Sequence, residues 1–211
     1  MRKINRDSFP HLVAVFLDRI RGQYSRIIMI FRMKWWQVDC GNKIRFYGMT
    51  LIRRHPKSKI SLGNNCCFRS TEWSNFAGIN HSCVISTLRD KAVIKIGNDC
   101  GFSGAVIAAA ESISISDRVL IGANSIISDT DWHHTNMIKR RKSVEGEARS
   151  IVIESDVWLG MNVVVLKGVT IGAGAVIAAN SVVIKDIPPN VLAAGIPAKV
   201  IKEISVREEV C

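Results

Sequence analysis

The sequence predicts an all-β chain folded as a parallel β-helix, and the main observation behind this prediction is a repeat of six residues. A helix repeats every 3.6 residues and a plain strand every two, so neither explains a period of six. A chain that turns a corner every six residues does explain it, because three short strands then form one triangular coil. The aliphatic anchors of this repeat, each followed four places later by a small or β-branched residue, are expected to point inward: Ile153, Leu159, Val165, Ile171, Ile177 and Val183.

The same repeat occurs earlier in the chain with irregular spacing. Three aliphatic residues are each followed four positions later by a cysteine, and the step of six then resumes: Leu62, Ile79 and Ile96, then Ile115, Ile121 and Ile127. We therefore expect the β-helix domain to span residues 60–190 with one interruption. The interruption is the polar segment 132–150, which contains four consecutive basic residues and predicts a loop that protrudes from one corner.

The six cysteines are expected to be structural thiols. Cys66, Cys83 and Cys100 follow the anchors at the same distance, which predicts one small inward position in successive coils, where a compact apolar side chain belongs. The sequence has no CxxC pair, no apolar run long enough for a membrane span and no signal peptide with a cleavage site. We therefore expect a reducing, cytoplasmic location and no metal.

Residues 1–59 predict a basic appendage made of a helix and a first strand, while residues 191–211 form a C-terminal extension. Residues 1–60 carry 14 Lys and Arg against three acidic residues, whereas the remainder carries equal numbers of both. Large apolar side chains in the appendage follow helical spacing: Val13, Phe16, Leu17, Ile20, Tyr24, Ile27, Ile28, Phe31 and Trp35.

This amphipathic helix has two interpretations. In the first, it packs on the open end of the prism and covers a sheet edge. In the second, residues 10–36 make a peripheral contact with the inner face of an anionic membrane, with Trp35 and Trp36 at the interface. Nucleic acid is not an expected partner, because no base-reading module accompanies the charge.

A cluster of chemically active side chains stands where the regular repeat stops and the loop begins. Asp129, Asp131, His133 and His134 lie within six residues of one another. A neutral imidazole accepts a proton at physiological pH, which suits a general base. Either carboxylate could orient the ring or hold a polar substrate. His134 and His81 are further candidates for contact with the substrate, His81 as a turn residue near an acceptor cleft.

Four segments in the second half of the chain resemble the hexapeptide-repeat acyltransferases. The resemblance is greatest to the branch of maltose, galactoside and nodulation-factor O-acetyltransferases, and it covers about residues 60–204. It implies a left-handed β-helix, acetyl-CoA as co-substrate without a metal, and a homotrimer with active sites between subunits. The matching segments are Asp-Val-Trp-Leu-Gly at 156–160, Gly-Val-Thr-Ile-Gly-Ala-Gly at 168–174, Lys-Asp-Ile-Pro-Pro-Asn at 185–190 and Ala-Gly-Ile-Pro-Ala-Lys at 194–199.

The resemblance also implies roles for individual residues. The family's Asp-x-His-Pro signature falls on Asp131 to His134, which makes His133 the catalytic base and places His134 where the family often has Pro. A backbone N–H near Gly160 or Met161 is the expected oxyanion donor. The positions that match the acetyl-CoA site of the family are Trp158, Gly160, Met161, Ala179, Lys185, Lys199 and Lys202.

These features predict an acetyl-CoA-dependent O-acetyltransferase that acts on a sugar hydroxyl of a cell-envelope polysaccharide or lipid-linked glycan precursor. The same fold also acts on small molecules such as antibiotics, serine or amino sugars, and a silent β-helix scaffold is a further alternative. A zinc carbonic anhydrase is disfavoured, because adjacent residues of an extended segment face opposite ways, so that His133 and His134 would seldom share one ion.

Overall fold

The computed structural model describes residues 8–205, which form a long helix followed by a triangular prism of β-strands. Helix α1 spans Ser8–Trp35. Within the described residues the prism has six coils of three strands, followed by two further strands. The strands are β1 (Asp39–Cys40), β2 (Arg45–Tyr47), β3 (Leu51–Arg53), β4 (Lys59–Leu62), β5 (Cys67–Arg69), β6 (Val84–Thr87), β7 (Val93–Ile96), β8 (Gly101–Ser103), β9 (Val106–Ala109), β10 (Ser112–Ile115), β11 (Leu120–Ile121), β12 (Ile126–Ser128), β13 (Ile151–Ile153), β14 (Trp158–Leu159), β15 (Val164–Val165), β16 (Thr170–Ile171), β17 (Val176–Ile177), β18 (Val182–Val183), β19 (Val191–Gly195) and β20 (Ala198–Glu203).

Each coil contributes one strand to each of three parallel sheets. Sheet A has the order β1-β4-β7-β10-β13-β16, sheet B contains β2-β5-β8-β11-β14-β17-β19-β20, and sheet C runs from β18 through β15, β12, β9 and β6 to β3. The pairs between coils are parallel, whereas β19 and β20 pair antiparallel at the end of sheet B. The parallel β-helix predicted from the period of six is confirmed.

The interior of the prism consists of columns of identical or similar side chains that run along each sheet. In sheet A, Ile60, Ile94, Ile113 and Ile151 lie in register and are fully buried. In sheet B, the rings of three phenylalanines stack with centroids 5.3 and 4.7 Å apart: Phe46, Phe68 and Phe102. All six predicted anchors from Ile153 to Val183 are buried, which confirms their inward orientation.

Corners of the prism require small residues because successive coils approach closely there. A Cβ on Gly63 would lie 2.4 Å from the carbonyl oxygen of Gly97, a distance that no side chain tolerates. The adjacent corner residues Asn65 and Asp99 have positive φ angles of 58°, a conformation that Asn and Asp adopt more readily than most residues. The close stacking of successive coils therefore explains why glycine, asparagine and aspartate occupy these corners.

The coils begin earlier than the boundary predicted at residue 60. Strands β1, β2 and β3 already pair with β4, β5 and β6, so the first coil starts at Asp39. This coil shows little of the repeat in its sequence, because its inward anchors are the aromatic Phe46 and the single aliphatic Ile52. The appendage proper is therefore α1 and the short connection after it.

A second excursion lies between β5 and β6 and was not predicted. Residues 70–83 leave the corner between sheets B and C and include a 3-10 helix at Glu72–Ser74. Ile79 belongs to this excursion rather than to a coil. Cys83 consequently occupies a different corner from Cys66 and Cys100, since it precedes β6 of sheet C, whereas the other two precede strands of sheet B. All three thiols are buried and free, and a hydrogen bond between Cys66 and Cys100 lowers the pKa of the Cys66 thiol.

Helix α1 packs on the first coil through a narrow docking face made of Gly22, Ser25, Met29 and Met33. Ser25 and the two methionines are buried, and the hydroxyl of Ser25 accepts a hydrogen bond from the backbone N–H of Gly48 at 3.1 Å. The predicted apolar face lies on the opposite side and is exposed. We call it the outer stripe: Phe9, Val13, Phe16, Leu17, Ile20, Tyr24, Ile27, Phe31 and Trp35.

The C-terminal extension continues sheet B as the antiparallel pair β19 and β20 and is described as far as residue 205. Its remainder, 206–211, lies outside the described residues, as does the start of the appendage at 1–7. The predicted loop is present and contains the short helix α2 (Met137–Arg141). The loop follows β12 of sheet C and precedes β13 of sheet A, so it leaves the prism at the corner between these two sheets.

Candidate active site

Asp129 anchors the root of the loop. Its side chain is buried, and its two carboxylate oxygens accept hydrogen bonds from the backbone N–H groups of Ala110 and Glu111 at 2.6 and 2.8 Å. Burial raises the pKa of the Asp129 carboxyl above its usual range, and the two N–H donors oppose this shift. The structure therefore gives Asp129 a structural position in place of the predicted contact with a substrate, because a buried and occupied carboxylate is not accessible.

Asp131 and Glu147 face each other across the outgoing and returning arms of the loop. The backbone N–H of Asp131 donates to the carbonyl of Glu147 at 3.0 Å. The Lys167 ammonium, on the turn after β15, forms ion pairs with both carboxylates, that to Glu147 at 2.7 Å. These pairs lower the pKa of Glu147 and raise the pKa of Lys167. Asp131 is thus held by a protein cation, although a substrate contact had been predicted for it.

Arg89 supports the returning arm from two coils below. Its guanidinium lies 2.6 Å from the carboxylate of Glu145 and donates to the carbonyl of Gly146 at 2.7 Å. A Cβ on Gly146 would lie 2.9 Å from the backbone nitrogen of His133, so the two arms touch at this glycine. Sequence reasoning missed Arg89, Gly146 and Lys167, because no local pattern links them to the histidines.

His133 and His134 differ in how their imidazoles are engaged. His133 is exposed, its backbone N–H donates to the Asp131 carbonyl at 2.6 Å, and its ring makes no hydrogen bond or ion pair with the residues 8–205. The Nδ1 atom of His134 accepts a hydrogen bond from the backbone N–H of Asn136 at 3.0 Å. His133 therefore has the freer ring, while His134 takes part in the fold of the loop.

His81 lies on the second excursion at the corner between sheets B and C. Its Nδ1 lies 3.1 Å from the carbonyl of Ser82, and because a carbonyl only accepts, Nδ1 carries the proton in this contact. The excursion is attached to the coil by Asn124, which accepts from the N–H of Asn80 and donates to the carbonyl of Gly78. The structure does not place His81 in contact with the His133 loop.

Trp158 lies on the outer surface of sheet B, between Leu120 and Val176 of the neighbouring coils. Its side chain is 53% exposed and lines a shallow hollow of about 190 Å³. At the next corner, Gly160 has no room for a side chain, since a Cβ would lie 2.6 Å from the backbone nitrogen of Ala179. Gly160 and Ala179 are therefore adjacent, and they leave a smooth wall beside the indole.

The three lysines of the predicted acetyl-CoA site lie near the C-terminal end of the prism. Lys199 and Lys202 lie on β20, opposite Ala194 and Leu192 of β19. Lys185 follows β18, and all three side chains are exposed. No carboxylate of the described residues lies within ion-pair distance of them, which leaves their charges available to an anionic ligand.

Trp158 and His133 are not brought together within one subunit. The loop leaves between sheets C and A, whereas Trp158 begins β14 just beyond the corner between sheets A and B. The width of sheet A separates the two side chains. One subunit therefore presents a base at one corner and an aromatic wall near the next.

Two family models match the prism. The model described as bacterial transferase hexapeptide (six repeats) matches residues 150–185, and the one described as hexapeptide repeat of succinyl-transferase matches 112–128. The galactoside O-acetyltransferase of Escherichia coli K12 is 46% identical over 100 residues, which cover 46% of this chain and 47% of that protein. The chain therefore carries the hexapeptide repeats of bacterial transferases and is similar to hexapeptide-repeat acetyltransferases.

Solved acetyltransferase structures extend the comparison over most of the chain. The hexapeptide-repeat-containing acetyltransferase VCA0836 of Vibrio cholerae, complexed with acetyl coenzyme A, has 26% identity and a TM-score of 0.52, with 91% of this chain and 85% of that chain covered. The polySia-specific acetyltransferase NeuO has 25% identity and a TM-score of 0.56 over 82% and 79% of the two chains. The fold class is confirmed: the left-handed β-helix implied by the resemblance, and the N-terminal helix predicted from the spacing of apolar residues.

The chain spans about half the length of the curated relatives it matches first. No group of three or more His, Cys, Asp or Glu in residues 8–205 is arranged to hold a metal ion. Over the same residues, no helix is both long and apolar enough to cross a membrane.

Proposed function

We propose that this chain is an acetyl-CoA-dependent O-acetyltransferase that acts on a sugar hydroxyl, with His133 as general base. The observation that carries the proposal is the exposed imidazole of His133, which has no partner among the described residues. The loop that carries His133 is bound to the prism through the Asp129 carboxylate and the Lys167 ammonium. A catalytic base needs a free ring nitrogen in a fixed place. The acetyl coenzyme A held by the V. cholerae relative supports the choice of donor.

In the proposed reaction, the neutral imidazole takes the proton of the acceptor hydroxyl while the hydroxyl oxygen attacks the thioester carbonyl. The resulting oxyanion needs a preorganised N–H donor. The N–H of Gly160 already donates to the carbonyl of Ile177 at 2.8 Å, whereas the N–H of Met161 makes no hydrogen bond within the described residues. Met161 is therefore the proposed oxyanion donor. The C–S bond then breaks, and the imidazolium returns the proton to the CoA thiolate.

The proposed donor site runs along the wall beside Trp158. The exposed indole packs against the pantetheine arm, and the small residues Gly160 and Ala179 allow the arm to lie close to the backbone. Lys185, Lys199 and Lys202 supply positive charge for the coenzyme phosphates. Lysine contributes a point charge without the bidentate geometry of arginine, so these contacts are expected to be electrostatic and sensitive to salt.

Replacement of the histidines tests the base. His133→Ala is expected to lower turnover by about 10²- to 10⁴-fold with CoA affinity retained, because a general base acts on the chemical step. Release of free thiol from acetyl-CoA measures turnover, and calorimetry measures CoA binding. If the loss follows His134→Ala while His133→Ala keeps its turnover, the base is assigned to the wrong ring.

The proposed active enzyme is a homotrimer with active sites between subunits. Separation of the base from the aromatic wall within one subunit supports a site completed by a neighbour. The outer surface of sheet C supports self-association, because one column in register is aliphatic throughout: Leu51, Val84, Val106, Ile126, Val164 and Val182. Ile126→Asp is expected to give monomers in light scattering and to abolish turnover. A monomeric and fully active variant would contradict the shared site.

The proposed acceptor is a sugar hydroxyl of a cell-envelope polysaccharide or a lipid-linked glycan precursor. A galactoside O-acetyltransferase and a polySia-specific acetyltransferase among the relatives support this class of acceptor. Incubation with acetyl-CoA and a panel of polysaccharides, oligosaccharides, chloramphenicol and serine identifies the acceptor through thiol release. Turnover with chloramphenicol or serine alone would favour a small-molecule acetyltransferase. Failure to bind CoA at all would favour a scaffold.

We also propose that α1 attaches the protein peripherally to the inner face of an anionic membrane. The outer stripe extends along the helix for about 40 Å and faces away from the prism. Arg19, Arg26, Lys43 and Arg45 line a groove of about 930 Å³ beside the helix, and no described acidic residue pairs with them. An apolar stripe flanked by unpaired cations is typical of helices that lie in a lipid interface. Trp36 packs partly against the core, so Trp35 alone of the two tryptophans belongs to the stripe.

Vesicle sedimentation tests the membrane contact. The wild type is expected to pellet with anionic vesicles and to dissociate as salt is raised, because the cations contribute through a screened interaction. Ile20→Asp with Ile27→Asp should remain in the supernatant, whereas the control Phe76→Asp, at a 94% exposed side chain of the second excursion, should pellet like the wild type. Equal pelleting of all three proteins would reject the proposal.

A further inference from the structure

The outgoing and returning arms of the loop that carries His133 are held to each other. The outgoing and returning arms form antiparallel bridges between Thr130 and Ala148 and between His133 and Glu145. The N–H of Arg149 also donates to the carbonyl of Asp129 at 2.9 Å, one step nearer the coil. The position of the imidazole therefore depends on whether these two arms stay together.

Lys167 is the cation that joins the two arms. It extends from the turn after β15, one coil above the loop, and its ammonium binds Asp131 on the outgoing arm and Glu147 on the returning arm. The side chains of Lys167 and Asp131 are 14% and 29% exposed, so water screens this pair less than it screens ion pairs on the open surface, whereas Glu147 is 64% exposed. Each carboxylate raises the pKa of Lys167, which keeps the ammonium charged at neutral pH.

The ion pair between Lys167 and Asp131 lies only two residues from His133, so it acts on the backbone of that histidine directly. The carbonyl of Asp131 accepts the N–H of His133 at 2.6 Å, and Trp132 between them has a positive φ of 62°. On the other side, Gly146 lies against the His133 nitrogen so closely that no Cβ fits. The backbone thus has little freedom between the carboxylate that Lys167 binds and the ring that would take the proton.

We infer that Lys167 is a positioning residue for His133, holding the two arms of the loop together so that the imidazole faces its substrate. This inference rests on the proposed function. Without the ammonium, the carboxylates of Asp131 and Glu147 face each other uncompensated and repel. The arms then separate, and the ring loses the alignment that proton transfer requires.

Lys167→Met tests the inference. A small misplacement of a catalytic group is costly, so kcat is expected to fall by about 10- to 100-fold, while the KM for acetyl-CoA, whose proposed site lies on the Trp158 wall, stays unchanged. The two unpaired carboxylates also stabilise the imidazolium, so the acid limb of the pH profile of kcat/KM should move to higher pH. Lys167→Arg should recover most of the activity, because a guanidinium also bridges two carboxylates.

Lys59→Met is the matched control. It removes another lysine that pairs with an aspartate, Asp39, at 3.2 Å on the first coil, far from the loop. Its kcat and pH profile are expected to match those of the wild type. If Lys167→Met folds poorly, Glu147→Gln provides the second test: it removes one of the two pairs and should lower kcat less than Lys167→Met does.

The outcomes separate this inference from the proposed function. If His133→Ala is inactive while Lys167→Met and Glu147→Gln keep the wild-type kcat and pH profile, the positioning role is overturned and the proposed function stands. If His133→Ala keeps full turnover, the proposed function itself fails. A loss in Lys167→Met that also appears in Lys167→Arg, with unchanged pH dependence in both, would indicate a structural effect alone and overturn the inference.

Discussion

The prism and helix α1 both carry a regular apolar pattern, yet the two patterns end in opposite environments. The anchors of the prism, such as Ile153 and Ile171, are completely buried, whereas Ile20 and Ile27 of the helix are more than half exposed. A sequence period states which side chains share a face. It does not state what that face will contact, and this depends on the partners that the fold provides.

The difference has a geometric cause. A chain that turns every six residues encloses its own inward face, so the anchors are buried by the coil itself and by the next coil. A helix has no interior and needs another surface to cover its apolar side. Helix α1 meets the first coil through a different and narrower face, in which Met29 and Met33 are buried, Ser25 accepts from the N–H of Gly48, and Arg32 donates to the carbonyl of Thr50 at 2.8 Å.

The sharpest test of this comparison replaces the same residue type in both regions. Ile153→Ala should destabilise the chain by about 2–5 kcal/mol, because it removes buried methyl groups and leaves a cavity. Ile27→Ala should change the free energy of unfolding by less than about 0.5 kcal/mol, since its side chain already contacts solvent. Denaturant unfolding measures both. A comparable loss in the two variants would mean that the outer stripe is covered in solution.

The docking face of α1 should behave like a small part of the prism core. Met29 is fully buried between the helix and the first coil, so Met29→Ala is expected to cost about 2 kcal/mol, the lower end of the range for buried methionine. The helix should also become more sensitive to limited proteolysis. Unchanged stability with unchanged proteolysis would show that α1 does not dock through this face.

Replacement of Asp129 tests whether a buried polar side chain stabilises the prism as the buried aliphatic side chains do. Asp129→Ala leaves the N–H groups of Ala110 and Glu111 without acceptors and should cost about 1–3 kcal/mol. Because burial raises the pKa of Asp129, its contribution is greatest below the usual Asp pKa of 3.8 and decreases as pH rises through the folded value. The difference in unfolding free energy between wild type and variant should therefore be larger near pH 4 than at pH 7. Asp129→Asn, which retains an acceptor but does not titrate, should show a smaller loss with the same pH dependence, because the titration belongs to the wild type.

The smallest effect is expected on the outer surface of the prism, where an ion pair is as open to water as the outer stripe. Arg118 and Asp156 form two hydrogen bonds of 2.7 Å, and Arg118 lowers the pKa of Asp156. Whatever this pair contributes is present above pH 3.8 and is lost as pH falls through the lowered folded pKa. Arg118→Gln should leave the melting temperature at neutral pH unchanged within error, since exposed pairs contribute little. A clear decrease would indicate that this surface is covered in the assembled protein.

The catalytic hypothesis shows how far sequence reasoning extends. The interruption of the repeat and the pair of histidines predict a site at the loop root, and the structure then distinguishes the free ring of His133 from the engaged ring of His134. The supporting residues could not be predicted, because Arg89 lies 57 positions from the Gly146 carbonyl that it binds. The predicted contact between Asp129 and a substrate failed for a related reason. Asp129 has polar neighbours in the sequence, but in the structure its carboxylate accepts from two backbone amides of the preceding coil.

The sequence by itself determined the period of the chain, the inward residues of the coils and the place where the loop begins, because these depend on spacing between near neighbours. Only the tertiary structure decided which face of α1 meets the prism, that a second excursion interrupts the coils at residues 70–83, and that Lys167 joins the arms of the loop. Those features depend on which side chains meet across stacked coils. Residues that pair between stacked coils are 16 or more positions apart in the chain, and no local pattern records such contacts.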